Sequence, residues 1–136
     1  MKCGNGCVRV KKISEEELYM DITRILTALC FKKKYTGYRY VRDAVRFAVQ
    51  QEQCGGISKH IYPLIAKQNG ISSAAVESGI RSAIHKAWKL SDSSTKQELF
   101  GVYGQPEQRT PSNSEFVYTI ADKLACTGNI NEFPKC

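Results

Sequence analysis

Between Ile57 and Trp88 the apolar positions fall into two stripes of helical period, separated by Asn69-Gly70. Ile57, Ile61, Leu64 and Ile65 recur at intervals of three and four, which gathers them on one face of a 3.6-residue spiral. Ala66 stands where a bulky side chain would hold two helices apart. Gly70 follows where the chain must leave the first helix through a backbone conformation that glycine adopts cheaply. Ser72 or Ser73 then caps a second helix, over about residues 73–90, whose inward stripe is Val76, Ile80, Ala83, Ile84, Ala87 and Trp88. Ala75, Glu77, Ser78, Arg81, Ser82 and His85 fall between those positions and face outward. Such a pair is a helix-turn-helix pattern, in which the outward face of the second helix near its start meets base edges in a major groove. The same spacing also fits two packed helices in any all-α domain.

The rest of the pattern is helical too, giving about six helices and almost no strand signal. Ser14 and Glu17 form a capping box, with Glu15, Glu16 and Glu17 at the positive end of the helix dipole. Leu18, Ile22, Ile25, Leu26 and Leu29 line the buried face of that first helix, and Lys32-Lys33-Lys34 is expected to close it at the negative end. Gly37 separates it from a second helix that carries Tyr38, Val41, Val45, Ala48 and Val49 inward. Past the helix pair, Ser91 to Ser94 is a polar break, followed by a short helix ending at Phe100-Gly101. Thr110-Pro111-Ser112 opens a last helix with a second capping box, Ser112 and Glu115, and with Phe116, Ile120, Ala121 and Leu124 inward. The organisation expected is a flexible arm over 1–13, one compact all-α domain over 14–125 and a flexible tail over 126–136. Within the arm, Val8 and Val10 alternate with charges in the manner of a short extended piece.

Composition narrows the functional classes. At 136 residues the chain is expected to fold as one domain with its own core. Lys and Arg number 20 against 13 Asp and Glu, a formal charge of +7 and a pI near 9.2, which favours a polyanion partner. From Lys32 to Arg46 there are six basic residues and one acid, Asp43. Neither a membrane-length apolar run nor a signal-peptide apolar region is present, so a cytoplasmic location and no membrane partner are expected. The only histidines, His60 and His85, keep no nucleophile or metal-ligand company, so no catalytic residues are assigned and no enzyme activity is expected. Cys3 and Cys7 supply half of a zinc-type spacing without a second close pair, so no metal or other cofactor is expected. All six cysteines, with Cys30, Cys54, Cys126 and Cys136, are read as free thiols or small core residues rather than as a disulfide framework.

Several runs together resemble one family. They are Asp21-Ile22-Thr23 with Ile25-Leu26, the stretch from Lys34-Tyr35-Thr36-Gly37 to Ala44, and Ile57-Ser58-Lys59 with Ile61-Tyr62-Pro63 and Ile65-Ala66-Lys67. Val76-Glu77, Ile80-Arg81, Ala83-Ile84, Ala87-Trp88 and Leu99-Phe100-Gly101 continue the series. It ends on Asn113-Ser114-Glu115-Phe116 with Ile120-Ala121-Asp122-Lys123-Leu124. From about Asp21 to Leu124 the order resembles the C-terminal DNA-binding domain of the stage-zero sporulation response regulator, the sporulation initiation factor of endospore-forming bacteria. The resemblance implies a six-helix response-regulator effector domain, winged-helix-like in class but with no wing, whose third and fourth helices form the helix-turn-helix. It also implies a transcription factor that binds double-stranded DNA. A homodimer on tandem sites, RNA polymerase and a homologous regulator are the further partners it suggests. Only about twenty residues precede the matching region, so the family's receiver domain is expected to be missing, and the chain is expected either to be a stand-alone effector domain or to be controlled by expression level or a partner.

The departures fall on the reading surface. Where the family's second helix reads Ser-Arg-Val-Glu-Arg-Ala-Ile-Arg-His, this chain has Ala74-Ala75-Val76-Glu77-Ser78-Gly79-Ile80-Arg81-Ser82. Two arginines and a histidine become Ala75, Ser78 and Ser82, and Gly79 weakens a helix by about 1 kcal/mol relative to Ala. A bidentate Arg–guanine contact supplies about 1 to 3 kcal/mol of discrimination, so either the target preference is expected to change or specificity to erode. The base-edge candidates are Ala74, Glu77, Ser78, Arg81 and Ser82. Phosphate candidates are Lys33, Lys34, Arg39, Lys59, Lys67, Ser73, Lys86 and Asn113. The alternative is a protein-interaction module that has lost specific DNA binding and modulates a full-length relative.

Overall fold

The computed structural model describes residues 14–50, 56–101 and 110–126, and the expected arm over 1–13 and the tail beyond Cys126 lie outside them. Seven helical segments occur among the described residues: α1 (Glu15–Ala28), α2 (Tyr38–Gln50), α3 (Ile57–His60), α4 (Tyr62–Asn69), α5 (Ser73–Leu90), α6 (Ser93–Phe100) and α7 (Asn113–Cys126). They are the six expected helices with one divided. The division falls at Ile61, which keeps a near-helical backbone (φ −100°, ψ −48°) between α3 and α4. Pro63 stands in the first turn of α4 and has no N–H to give to the Lys59 carbonyl, so the ladder breaks and restarts there. Leu64, expected to face inward, is 38% exposed, while Ile61 and Ile65 remain buried.

Both capping boxes form. Ser14 Oγ accepts from the Glu17 N–H at 3.1 Å while Glu17 Oε1 accepts from the Ser14 N–H, and Ser112 with Glu115 repeats the arrangement at the start of α7. The closing of α1 differs from expectation. The helix ends at Ala28 with no basic residue in its last turn, and Cys30 turns the chain with a left-handed φ of 67°. Lys32, Lys33 and Lys34 therefore sit in the α1–α2 loop, beyond the helix dipole that they were expected to satisfy. Cys30 also corrects the free-thiol expectation. It is disulfide-bonded, to a cysteine whose side chain lies outside the described residues. Arguments from compartment and core size set the need for a disulfide, not the distance between two thiols.

Helix α2 is the hub, lying against α1, α4, α5 and α7. Its Val41, Ala44 and Val45 are fully buried, together with Ile22, Ile25 and Leu26 of α1, Ile80 and Ile84 of α5, and Phe116 and Ile120 of α7. Four aromatic rings run in sequence through this core: Phe31 to Phe116 at 5.4 Å, Phe116 to Phe100 at 5.3 Å, and Phe100 edge-on to Trp88 at 5.1 Å. Each such pair adds about 0.5 to 1.5 kcal/mol beyond the area it buries. Ser91, just past α5, is buried and donates its hydroxyl to the Leu29 carbonyl at 2.7 Å, with the Ala87 carbonyl 2.8 Å away. That bond ties the end of α5 to the end of α1.

Candidate DNA interface

The turn between α4 and α5 is built from three residues with distinct tasks. Gly70 takes φ +66°, ψ 35°, and its N–H returns to the Ala66 carbonyl, as does that of Ile71 at 3.1 Å. Ser72 is extended and caps α5 by accepting from the Ala75 N–H at 3.1 Å. Ile65 and Ala66 of α4 are buried in the same core cluster as Val76 and Ile80 of α5, and the two helices lie against each other, which leaves the other side of α5 outward.

On that outward face Ala74, Ala75, Ser78, Arg81, Ser82 and His85 are exposed. Glu77 is half-buried. Its carboxylate pairs with the Arg81 guanidinium one turn on, and its backbone carbonyl accepts from Asn113 Nδ2 at 3.1 Å. Asn113, expected among the phosphate contacts, is buried instead and also donates to the Tyr62 hydroxyl at 2.8 Å. The first residue of α7 thus joins α4 to α5 beneath the outward face. Burial pushes the Tyr62 phenol above its usual pKa; the Asn113 hydrogen bond opposes this and the Glu77 charge adds to it. Tyr62 was not foreseen as part of the site. Its signal in the sequence is a tyrosine on the inward side of the first helix of the pair, where a hydroxyl needs a partner.

The opposite flank of α5 is covered by the α1–α2 loop. Tyr35 lies half-buried with the Lys86 ammonium 5.2 Å above its ring. Gly37 meets α5 backbone to backbone: a Cβ on Gly37 would stand 2.1 Å from the Gly79 carbonyl oxygen, and one on Gly79 would stand 3.0 Å from the Tyr40 ring. Gly79 therefore has a packing reason in addition to its cost in helix propensity. Of the other expected phosphate contacts, Lys33, Lys34 and Arg39 are exposed on the loop and α2, Lys59 and Lys67 on α3 and α4, and Lys86 on α5. Ser73 is half-buried at the start of α5. His60 and His85 are both exposed, and among the described residues no three metal-ligating side chains converge. No helix among them is long and apolar enough to cross a membrane.

The described residues thus hold a helix-turn-helix whose second helix has one exposed face and is braced by α7. The family model described as sporulation initiation factor Spo0A C terminal matches residues 22–124. The chain belongs to that family. The Spo0A C-terminal family is a DNA-binding sporulation-regulator domain, not an enzyme family. Its match begins in α1 at Ile22 and ends in α7 at Leu124, so it takes in the helix-turn-helix, the Asn113 brace and the α1–α2 loop. The family and the all-α fold are those that the residues led us to expect.

Proposed function

We propose that α5 reads duplex DNA in the major groove, with a target preference that differs from that of relatives carrying arginines at its outward positions. The observation that carries this reading is the Glu77–Arg81 pair. Glu77, whose backbone carbonyl accepts from Asn113, pairs with Arg81, the only arginine of α5, and this pairing limits the freedom of an exposed guanidinium on its outward face. A guanidinium so restrained suits the O6 and N7 acceptors of guanine. Ser78 and Ser82 present hydroxyls that bond either donors or acceptors, and Ala74 and Ala75 offer methyl groups suited to thymine. Lys33, Lys34, Arg39, Lys59, Lys67, Ser73 and Lys86 serve in this reading as the phosphate contacts, which set register and supply affinity without sequence information.

Selection of bound duplexes from a randomised pool at two salt concentrations tests this. The expected result is one enriched motif, with Arg81→Ala relaxing preference at a single position and losing about 1 to 3 kcal/mol there. Uniform enrichment with steep salt dependence leaves phosphate contact alone and removes base reading. Absence of binding at moderate salt favours the interaction module, which the loss of arginines at Ala75 and Ser78 would suit.

A further inference from the structure

We propose that Gly79 and Tyr35 are positioning residues that hold the three-lysine α1–α2 loop along the recognition helix as a second, sequence-independent contact to the DNA backbone. This rests on the major-groove reading of α5 given above. The loop is built as a rigid piece: the Tyr35 N–H donates to the Lys32 carbonyl, the Tyr38 N–H to the Tyr35 carbonyl, each at 3.0 Å, and the Val41 N–H to the Gly37 carbonyl at 2.9 Å. It is attached to α5 at three levels. Gly37 touches the backbone at Gly79, Tyr35 stacks beneath Lys86, and Leu29 accepts from Ser91 just past the helix end. At 1.5 Å rise per residue these anchors span roughly 18 Å of helix axis. A loop fixed over that length enters with the helix when the helix enters a groove.

At the first anchor Gly37 has no room for a side chain, and Gly79 has room for one only if the Tyr40 ring at the start of α2 shifts. A methyl at Gly37 would also meet Ala83 Cβ at 3.0 Å, and one at Gly79 would press Tyr40 at two ring carbons, 3.0 and 3.2 Å away. Lys32, Lys33 and Lys34 remain exposed on the outer side of this piece. An ammonium is a point charge that suits phosphate oxygens and carries no base code. The loop thus restores, as backbone affinity, part of what Ala75 and Ser78 forgo in place of arginines on the reading face.

The test measures binding to the selected duplex and to a scrambled one over a range of salt. The variants are K32A/K33A/K34A, Tyr35→Leu, Tyr35→Phe and Gly79→Ala, each checked for a wild-type helical spectrum and cooperative melting. The triple lysine variant is expected to weaken both duplexes alike, by ~10-fold or more, and to flatten the salt slope by about 0.9 for each phosphate no longer neutralised. Tyr35→Leu and Gly79→Ala keep all three lysines, so a flatter slope in them, by about 1, reports position rather than charge. Tyr35→Phe keeps the ring over which Lys86 sits and is expected to restore the wild-type slope. A wild-type slope in the triple variant removes the loop from the interface, and one in both Tyr35→Leu and Gly79→Ala removes the positioning role. Loss of motif enrichment with the lysine effect retained sinks base reading by α5 and leaves the loop's role standing. A wild-type protein that binds no duplex at low salt overturns both.

Discussion

The Asn113 side-chain amide donates to the Tyr62 hydroxyl at 2.8 Å, and the same nitrogen lies 3.1 Å from the Glu77 carbonyl oxygen. One buried amide therefore fixes the first turn of α7 against both members of the helix-turn-helix. Asn113→Ala leaves two acceptors without their donor in a buried place, at a cost of about 1 to 3 kcal/mol. Urea unfolding of Asn113→Ala, Tyr62→Phe and the double variant checks it. A coupling between the two of at least about 0.5 kcal/mol is expected, and strict additivity would dissolve the brace.

Two buried tyrosines should respond oppositely to loss of the hydroxyl. Tyr62 has its partner in Asn113, whereas the Tyr38 hydroxyl is buried with no hydrogen-bond partner among the described residues. Tyr38→Phe removes an unsatisfied polar atom and is expected to raise stability by about 1 kcal/mol; Tyr62→Phe is expected to lower it by a similar amount. Chemical denaturation of the two single variants decides, and a loss in Tyr38→Phe equal to that in Tyr62→Phe contradicts the assignment.

Burial raises the phenol pKa of both Tyr62 and Tyr118 above the ordinary value of 10.0. In the alkaline window between the unfolded and folded values, the native state holds protons that the unfolded chain has released, so stability falls as pH rises. Lys96 acts in the other direction, because burial lowers its ammonium below 10.5 and rising pH then favours the native state. The expected profile for the tyrosine contribution is flat below about pH 9 and declining through about pH 10 and above. Comparing urea midpoints over that range, the Tyr62→Phe/Tyr118→Phe variant should decline less steeply than wild type; an unchanged decline counts against the assignment.

Gly70 closes α4 at φ +66° with open space where a Cβ would be. Gly70→Ala therefore meets backbone strain and no clash, and about 1 to 2 kcal/mol of destabilisation is expected. Calorimetric melting measures it. A melting temperature at or above wild type would mean that the turn relaxes into another conformation.

What the sequence made legible was local. Helical period identified Val76, Ile80, Ala83, Ile84, Ala87 and Trp88 as the buried stripe of α5, and side chains three residues apart identified both capping boxes, because those interactions lie within one turn. The break at Ile61 was legible in principle from Pro63, yet the stripe Ile57, Ile61, Ile65 continued across it and hid it. Features joining distant segments were not legible. Asn113 sits 36 residues from Glu77, and its short polar side chain reads equally as a surface contact or a buried donor until α7 is docked. Gly37 and Gly79 looked like a helix separator and a weak helix position; only their meeting shows that each serves the other. The Cys30 disulfide likewise depends on where a distant part of the chain comes to rest.

The run of aromatic rings ends on Trp88, the single tryptophan of the chain, seven residues past Arg81 on α5. Phe100 meets its indole edge-on and the Lys96 ammonium stands 5.0 Å from its ring. The protein therefore carries a single-site optical reporter inside the element that would enter the groove. Its emission follows the packing of that helix without any label.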